Sequence, residues 1–232
     1  GAPENGVSGG SSGSAYLVLS SSLGASSVMS LSAADYIFMG VSAGDNAGYA
    51  VSAAGDLDYD GYQDIMIGAP GRSSDAGTVY IVNSMSLGSS SSFLLSNADY
   101  ELQGDRGVKA GTAVSLAGDV DGDGAQDLLV GATGNTVAGD EAGVAYLVRA
   151  ADVLGEETIP LISTGYAMMG ESAGDQAGTA VASAGDVDGD GLDDILVGAP
   201  YDDDGGSNAG AAYVVLGSSL GITTTFSLSS AD

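Results

Sequence analysis

Three short acidic segments contain the residues of this chain that are best able to do chemistry. Each follows the pattern Asp-x-Asp-x-Asp-Gly-x-x-Asp, and the copies begin at Asp56, Asp119 and Asp186. The glycine after the third aspartate permits a sharp turn, so the carboxylates at the first, third and fifth positions can converge on one point. Calcium takes about six to eight oxygen ligands in a flexible shell, whereas magnesium prefers a strict octahedron. The pattern therefore predicts three calcium sites.

Each loop offers five candidate ligands, namely four aspartate side chains and the backbone carbonyl of the seventh residue. In chain order the candidates are Asp56, Asp58, Asp60, the carbonyl of Tyr62 and Asp64; Asp119, Asp121, Asp123, the carbonyl of Ala125 and Asp127; and Asp186, Asp188, Asp190, the carbonyl of Leu192 and Asp194. An EF-hand would need a glutamate at the twelfth loop position, where this chain has Ile67, Val130 or Val197. Asp-Gly clusters also favour plain turns, but three copies with the same ninth aspartate favour metal binding.

The composition excludes several classes of function. The chain of 232 residues has four basic and 31 acidic residues and a formal net charge of −27, which excludes nucleic acid and anionic membrane surfaces as direct partners. Outside the three loops, the acidity is also explained by solubility or by adaptation to salt. Cysteine and histidine are both missing, which argues against zinc, haem and iron–sulfur chemistry. No apolar run reaches the roughly 20 residues that span a bilayer, so we expect no direct membrane insertion.

The surroundings of the acidic loops repeat as well, and they indicate how the chain folds. Each unit reads as four short strands bounded by Gly, Asp and Ser turns. One strand precedes the loop, one ends in "IMIGAP", "LLVGAT" or "ILVGAP", one contains "VYIV", "AYLV" or "AYVV", and one resembles "DYELQG". This pattern predicts an all-β fold, a β-propeller of four-stranded antiparallel blades. Periodicity alone leaves a stacked solenoid of similar units as the alternative.

The repeat boundaries predict one array that is incomplete at both ends. We expect residues 1–40 to form the last two strands of a preceding blade, 41–104 and 105–170 to form two full blades, and 171–232 to form a blade without its last strand. The opening "GAP" matches the end of a second strand, and the closing "SLSSAD" matches the "SLSAAD" segment before Tyr36. Because open sheet edges are adhesive, we expect pairing with the rest of a longer chain or with other copies.

The order of acidic loop, closing "GAP" and tyrosine strand resembles FG-GAP repeats, the units of the integrin alpha-subunit β-propeller. The resemblance covers nearly the whole chain, through "AGYAVSAAGDLDYDGYQDIMIGAP" and its two counterparts. The chain departs from the family pattern in two respects: the middle "GAP" ends in Thr133, and Phe-Gly is replaced by Ala47-Gly48, Ala110-Gly111 and Ala177-Gly178. The resemblance implies a seven-bladed ring, extracellular calcium on one face, and adhesion or ligand recognition by loops of the opposite face.

Two further acidic features lie outside the loops. Asp45, Asp105 and Asp175 precede the first strand of each unit, either as additional metal ligands or as residues of plain turns, and the turn interpretation is favoured. The run at 202–204 has no counterpart in the other units and is interpreted as a contact loop or a solvated turn.

The leading functional hypothesis is a non-catalytic, calcium-stabilised module for adhesion or ligand recognition, extracellular or on the cell surface. Its ligand would be a protein or a glycan. The alternative is a structural spacer, or a subunit of a self-assembling surface layer or filament joined through open blade edges. An enzyme is disfavoured because no histidine is present to activate a serine, and because the obvious carboxylate pairs are assigned to metal.

Overall fold

The computed structural model describes residues 1–6, 10–24, 28–221 and 224–231. Asp232, the last residue of the closing "SLSSAD" segment, lies outside the described residues. Helix is confined, in the described part of the chain, to single turns and short 3-10 segments. The two single turns are α1 (Arg72–Asp75), whose backbone is left-handed at Ser73 and Ser74, and α2 (Ala150–Val153). The 3-10 turns are Ser20–Ser22, Leu31–Ala33, Ser84–Ser86, Leu95–Asn97, Leu161–Ser163, Gly217–Ser219 and Leu228–Ser230. None of these helices is long and apolar enough to cross a bilayer.

Short β-strands make up the rest of the ordered secondary structure, because turns rich in Gly, Asp and Ser interrupt the apolar runs every few residues. In chain order the strands are β1 (Ser14–Leu17), β2 (Tyr36–Met39), β3 (Val51–Gly55), β4 (Asp64–Ala69), β5 (Thr78–Val82), β6 (Ser92–Leu94), β7 (Tyr100–Gln103), β8 (Ala110–Gly118), β9 (Asp127–Ala132), β10 (Val144–Val148), β11 (Thr158–Pro160), β12 (Tyr166–Met169), β13 (Ala180–Gly185), β14 (Asp194–Ala199), β15 (Ala211–Val215) and β16 (Thr225–Ser227).

The strands form four sheets that follow one another in chain order. The first sheet has the order β1-β2-β6, and the second has the order β3-β4-β5-β7-β11. The third sheet has the order β8-β9-β10-β12-β16, and the last has the order β13-β14-β15. Strands of one repeat unit pair antiparallel with their neighbours, as in β3-β4-β5-β7. The prediction of an all-β fold built from incomplete propeller blades is therefore confirmed.

A short parallel strand at the outer edge of three sheets was not predicted from the sequence. β6 pairs with β2, β11 with β7, and β16 with β12, so each repeat unit lends one strand to the sheet before it. These strands have only three residues each, "SFL", "TIP" and "TFS", which is too short for an alternating pattern to stand out. The blades are thereby interlocked, and the division of the chain at residues 40, 104 and 170 stays a prediction.

Three apolar clusters form the core, one between each pair of successive sheets. β4 and β5 each contribute to two clusters, since alternate side chains of a strand point to opposite faces. Met66 and Ile81 pack towards the third sheet, whereas Ile67 and Tyr80 pack towards the first. The cluster between the third and last sheets contains Leu129, Leu147, Met168, Ile195, Val197 and Val215. The burial of both faces explains why these strands are apolar throughout.

Glycine pairs allow the sheets to approach each other closely. A Cβ atom on Gly68 would lie 2.2 Å from the carbonyl oxygen of Gly111, and one on Gly131 would lie 1.9 Å from that of Gly178. The first member of each pair opens the "GAP" or "GAT" triplet, and the second follows a fully buried alanine. Backbone contact between successive sheets thus accounts for both repeated glycines.

Candidate metal centre

Each acidic loop joins the first two strands of its sheet. The strands β3, β8 and β13 end at the residue before the first aspartate, and β4, β9 and β14 begin at the ninth. β8 lies against both β3 and β13. This arrangement puts the three loops at the same end of neighbouring strands, on one side of the molecule.

The glycine at the sixth loop position closes the turn. Gly61, Gly124 and Gly191 have φ angles of 90°, 90° and 95°, in the left-handed region that a glycine adopts without a steric cost. The N–H of this glycine donates to Oδ2 of the first aspartate at 3.0 Å in all three loops. The first carboxylate is therefore turned into the loop in each copy.

The loops bring carboxylates close enough together to share one cation. In each loop, three aspartates contribute one oxygen apiece, and these oxygens lie within 4.8 Å of one another. The three groups are Asp56, Asp58 and Asp60; Asp119, Asp121 and Asp127; and Asp186, Asp188 and Asp194. Asp64, Asp123 and Asp190 lie in the same loops but do not belong to these tight groups. Carboxylates at such distances repel one another unless a cation or a proton neutralises them.

The aspartate at the fifth loop position holds the seventh residue of each loop in place. Oδ1 of this aspartate accepts the N–H of Tyr62 at 2.7 Å in the first loop. The corresponding bonds to the N–H of Ala125 and of Leu192 are both 2.8 Å long. These bonds hold the residues whose carbonyls are the candidate backbone ligands.

The aspartate at the ninth loop position, called the ninth aspartate below, has a structural role that the sequence did not predict. Asp64, Asp127 and Asp194 are buried, and in each case Oδ2 accepts the N–H of the second loop residue. Oδ1 accepts an N–H from the segment after the third strand of the same sheet, at 2.9 Å, 3.0 Å and 2.9 Å from Ser84, Ala150 and Gly217. The ninth aspartate thus ties its loop to a segment about 20 residues further along the chain.

Burial also raises the pKa of the ninth aspartate in two of the three loops. Desolvation raises the pKa of Asp127 to about 6, and the N–H groups of Ala150 and Val120 oppose that rise. Desolvation likewise raises the pKa of Asp64 above its usual range, against the N–H groups of Ser84 and Leu57. The nearby carboxylates of the same loops add to both rises, so a positive charge at the loop would favour ionisation.

One carboxylate oxygen of the first loop shows whether the loop suits a bound cation. Oδ1 of Asp56 is buried and has no hydrogen-bond partner among the described residues. A buried acceptor without a partner is costly, and a metal ion can satisfy it without any donor. The surrounding groups are carboxylate oxygens, the ligands that hard cations such as calcium prefer. The donor set of the loop therefore fits calcium.

The acidic residues before the first strands behave as turn residues at two of three positions. Asp45 and Asp175 are buried, and each accepts the N–H of the residue three positions earlier, at 2.8 Å from Ser42 and 2.7 Å from Ser172. Asp105 is exposed. None of the three belongs to a carboxylate group close enough to hold a cation in the described part of the chain.

A further acidic group lies at the end of β14. Glu171, Asp202 and Asp204 bring one oxygen each within 4.8 Å of the others. Asp202 is buried and accepts the hydroxyl of Tyr213 at 2.8 Å and the N–H of Asp204 at 3.0 Å. Burial and the carboxylates of Asp202 and Glu171 raise the pKa of Tyr213. Sequence reasoning noted the acidic run at 202–204 but had no signal that Glu171 would join it.

Incomplete propeller blades with an acidic loop between their first two strands define the class to which this chain belongs. A family model described as "FG-GAP repeat" matches residues 47–82, 110–148 and 177–215, and each matched segment contains one acidic loop. The chain is an FG-GAP repeat protein similar to integrin alpha subunits, as the resemblance predicted.

Individual relatives support this membership. The chain is 32% identical to "Integrin alpha pat-2" of Caenorhabditis elegans over 185 residues, which cover 77% of the chain and 14% of the relative. It is 33% identical to "Integrin alpha-5" of Xenopus laevis, over 75% of the chain and 15% of the relative. With "Integrin alpha-IIb" of Homo sapiens the identity is 34%, over 75% of the chain and 16% of the relative. The chain thus spans about one seventh of the length of these relatives.

Proposed function

We propose that this chain is a calcium-binding module for adhesion or ligand recognition that works outside the cell or on its surface. The observation that carries the proposal is the threefold occurrence of the loop, each copy gathering three carboxylates within 4.8 Å. The buried, unpartnered Oδ1 of Asp56 supports a cation over a plain turn. The likeness to integrin alpha subunits supports adhesion over other uses of such a module.

The proposed ligands are the four aspartates of each loop and the carbonyl of its seventh residue. Bound calcium would supply positive charge where the first-position and third-position carboxylates converge, with the fifth-position carboxylate in the first loop and with the ninth-position carboxylate in the other two. The ninth aspartate holds the loop against the segment after the third strand, so the same residue serves the ion and the sheet. The free energy of calcium binding then adds to the stability of the fold, by about 2.7 kcal/mol per site at 100 times the dissociation constant.

The proposed module is non-catalytic. It recognises a protein or a glycan through a surface away from the calcium loops, and it pairs with the rest of a longer chain or with other copies. The strong negative charge of −27 disfavours nucleic acid as a partner. Sites of this type in extracellular modules bind calcium with dissociation constants on the order of 10⁻⁴ to 10⁻³ M, which matches the calcium concentration outside cells.

The proposal is tested by calorimetric titration with calcium of protein from which a chelator has removed all metal. We expect three bound ions and a melting temperature that rises with calcium concentration. Asp188→Ala should remove one ion, because Asp188 belongs to the tight group of the third loop. Asp203→Ala is the matched control, since Asp203 is exposed and lies outside the loops. A protein that takes up no calcium, or whose melting temperature is the same in chelator and in calcium, would refute the proposal.

An open sheet edge favours a second candidate function, a self-assembling structural subunit. β15 forms the edge of the last sheet, with no further strand beside it among the described residues. Sheet edges of this kind pair with other chains. Light scattering in calcium distinguishes the two functions, because an adhesion module gives a discrete particle and an assembling subunit gives growing polymers.

A further inference from the structure

The first acidic loop differs from the other two in the residue that follows the third strand of its sheet. This position is occupied by Asn83 after β5, by Arg149 after β10 and by Leu216 after β15. An asparagine side chain can offer a neutral oxygen to a metal, whereas arginine carries only donors and a positive charge, and leucine is apolar. The first loop is thus the one that has an additional oxygen ligand available at this position.

The side chain of Asn83 is held against the carboxylates of the first loop. Its Nδ2 lies 3.0 Å from Oδ2 of Asp58, a member of the tight group. Its backbone N–H donates to Oδ2 of Asp99 at 2.7 Å, which fixes the residue at the end of β5. Only 9% of the residue is exposed. The amide therefore has little freedom to turn away from the loop.

The amide oxygen of Asn83 lacks a partner. Oδ1 is buried and accepts no hydrogen bond from the described residues, and Oδ1 of Asp56 in the same loop is in the same condition. Each buried acceptor left unpaired costs about 1–3 kcal/mol. Two such acceptors beside one group of carboxylates indicate a bound cation, because a cation can interact with oxygen atoms for which the protein supplies no hydrogen-bond donor.

The spacing of these groups suits a calcium shell. Ligand oxygens lie about 2.3–2.6 Å from the ion, so neighbouring ligands in a crowded shell are roughly 3 Å apart. The amide nitrogen of Asn83 donates to Oδ2 of Asp58 at 3.0 Å, so the amide group lies within one such spacing of a carboxylate oxygen of the loop. Half a turn about the bond that carries the amide exchanges its nitrogen and oxygen, so the oxygen can occupy the same place.

We propose that Asn83 donates its amide oxygen to the metal of the first loop, as a ligand from outside the nine-residue motif. The proposal rests on the calcium-binding function proposed above. It makes the first site the tightest of the three, because the corresponding residue is the cationic Arg149 in the second unit and the apolar Leu216 in the third, and neither side chain offers an oxygen. Arg149 forms a salt bridge with Asp152 at 2.9 Å, and its positive charge also interacts with Asp121 of the second loop.

Terbium luminescence measures the first site selectively. Tyr59 and Tyr62 lie in the first loop, and the other two loops contain no tyrosine. Tyr166 lies close to Asp121 of the second loop and Leu192 of the third. The signal of the first loop is therefore the part of the tyrosine-excited terbium emission that is lost in Tyr59→Phe/Tyr62→Phe. Calcium competition against this signal gives the affinity of the first site, and calorimetry gives the total number of ions bound.

Two substitutions of Asn83 separate a ligand from a mere hydrogen-bond donor. Asn83→Leu keeps the shape but has no oxygen, and we expect the calcium affinity of the first site to fall about tenfold or more. Asn83→Asp keeps an oxygen and should retain or strengthen binding. If Asn83 served only to donate to Asp58, the aspartate variant would instead repel Asp58 and bind at least as weakly as the leucine variant.

Melting temperatures in chelator show whether the variants fold, and each should match that of the parent protein within a few degrees. An affinity unchanged within twofold in Asn83→Leu would overturn the inference, and so would an Asn83→Asp variant that binds as weakly as Asn83→Leu. In both cases three ions still bind to the parent protein, so the calcium function survives. Failure of the parent protein to bind terbium and calcium would overturn the calcium function itself.

Discussion

At the scale of single residues, the three loops differ in the backbone strain they carry. The fourth loop position has a positive φ in every copy, 59° at Tyr59, 77° at Gly122 and 82° at Gly189. A left-handed conformation costs an L-residue roughly 1–2 kcal/mol, whereas glycine adopts it readily. Tyr59 is 68% exposed, so its side chain recovers little of this cost through burial. The first loop is therefore strained where the other two are relaxed.

This strain predicts that Tyr59→Gly stabilises the protein. We expect the free energy of unfolding in chelator to rise by about 0.5–1 kcal/mol, after allowance for the greater freedom of glycine in the unfolded chain. Denaturant unfolding followed by circular dichroism measures the change. Tyr62→Gly is the control, because Tyr62 is similarly exposed at 64% but is not among the residues with positive φ. Equal effects of the two substitutions would contradict the explanation.

At the scale of elements, the second and third loops are joined to each other across two sheets. Oδ2 of Asp193 accepts the N–H of Asp119 at 2.8 Å, and the N–H of Asp193 donates to the carbonyl of Asp119 at 3.0 Å. Asp119 is the first aspartate of the second loop, and Asp193 stands at the eighth position of the third. At the eighth position of the second loop, Gln126 lies next to Gly55, the residue before the first loop, and it makes no hydrogen bond to that loop among the described residues.

The contact between these loops predicts an effect of Asp193→Ala on a site to which Asp193 does not belong. We expect the calcium affinity of the second loop to fall roughly tenfold, as happens when a group that orients a metal ligand is removed. Calorimetric titration with calcium measures the loss. Gln126→Ala should change the affinity of the first loop much less, because no hydrogen bond is lost. A uniform decrease at all three sites would show only the loss of one negative charge.

At the scale of the whole molecule, the sheets are held at a fixed separation by their glycine contacts. Gly131 opens the "GAT" triplet of the third sheet, and a Cβ there would meet backbone of the last sheet at 1.9 Å. Gly198 occupies the same place in the last sheet, and its nearest neighbour would be Cβ of Ala180 at 3.5 Å. The same motif position therefore has no room for a Cβ atom in the third sheet and has room for one in the last sheet.

This difference predicts opposite outcomes for two alanine substitutions. Gly131→Ala forces two backbones apart and should lower the free energy of unfolding by about 3 kcal/mol. Gly198→Ala meets only an ordinary van der Waals contact and should cost less than about 1 kcal/mol. Thermal unfolding of both variants in calcium measures the difference. Comparable destabilisation by the two would mean that local strand propensity, and not the approach of the sheets, explains the repeated glycine.

The sequence predicted the parts of this molecule that depend on neighbouring residues. Alternating apolar residues and Gly, Asp and Ser turns are local signals, and they located the strands on both sides of each loop. The loop pattern likewise indicated that carboxylates gather within nine residues, but the predicted trio of first, third and fifth positions forms a tight group only in the first loop, and the ninth position replaces the fifth in the other two. Those features were readable because one short segment contains everything that forms them.

The tertiary structure alone decided the features that join distant segments. The bond from Asn83 to Asp58 spans 25 residues, and the bond from Asp119 to Asp193 spans 74. The parallel pairing of β11 with β7 likewise depends on the packing of one repeat unit against the next. No local pattern encodes such contacts, since the bond from Asn83 forms only when β5 pairs beside β4, and the bond from Asp193 forms only when neighbouring sheets stack. The sequence by itself therefore determined the strands and the acidic loops, whereas the pairing of distant strands and the stacking of the sheets decided what surrounds each loop.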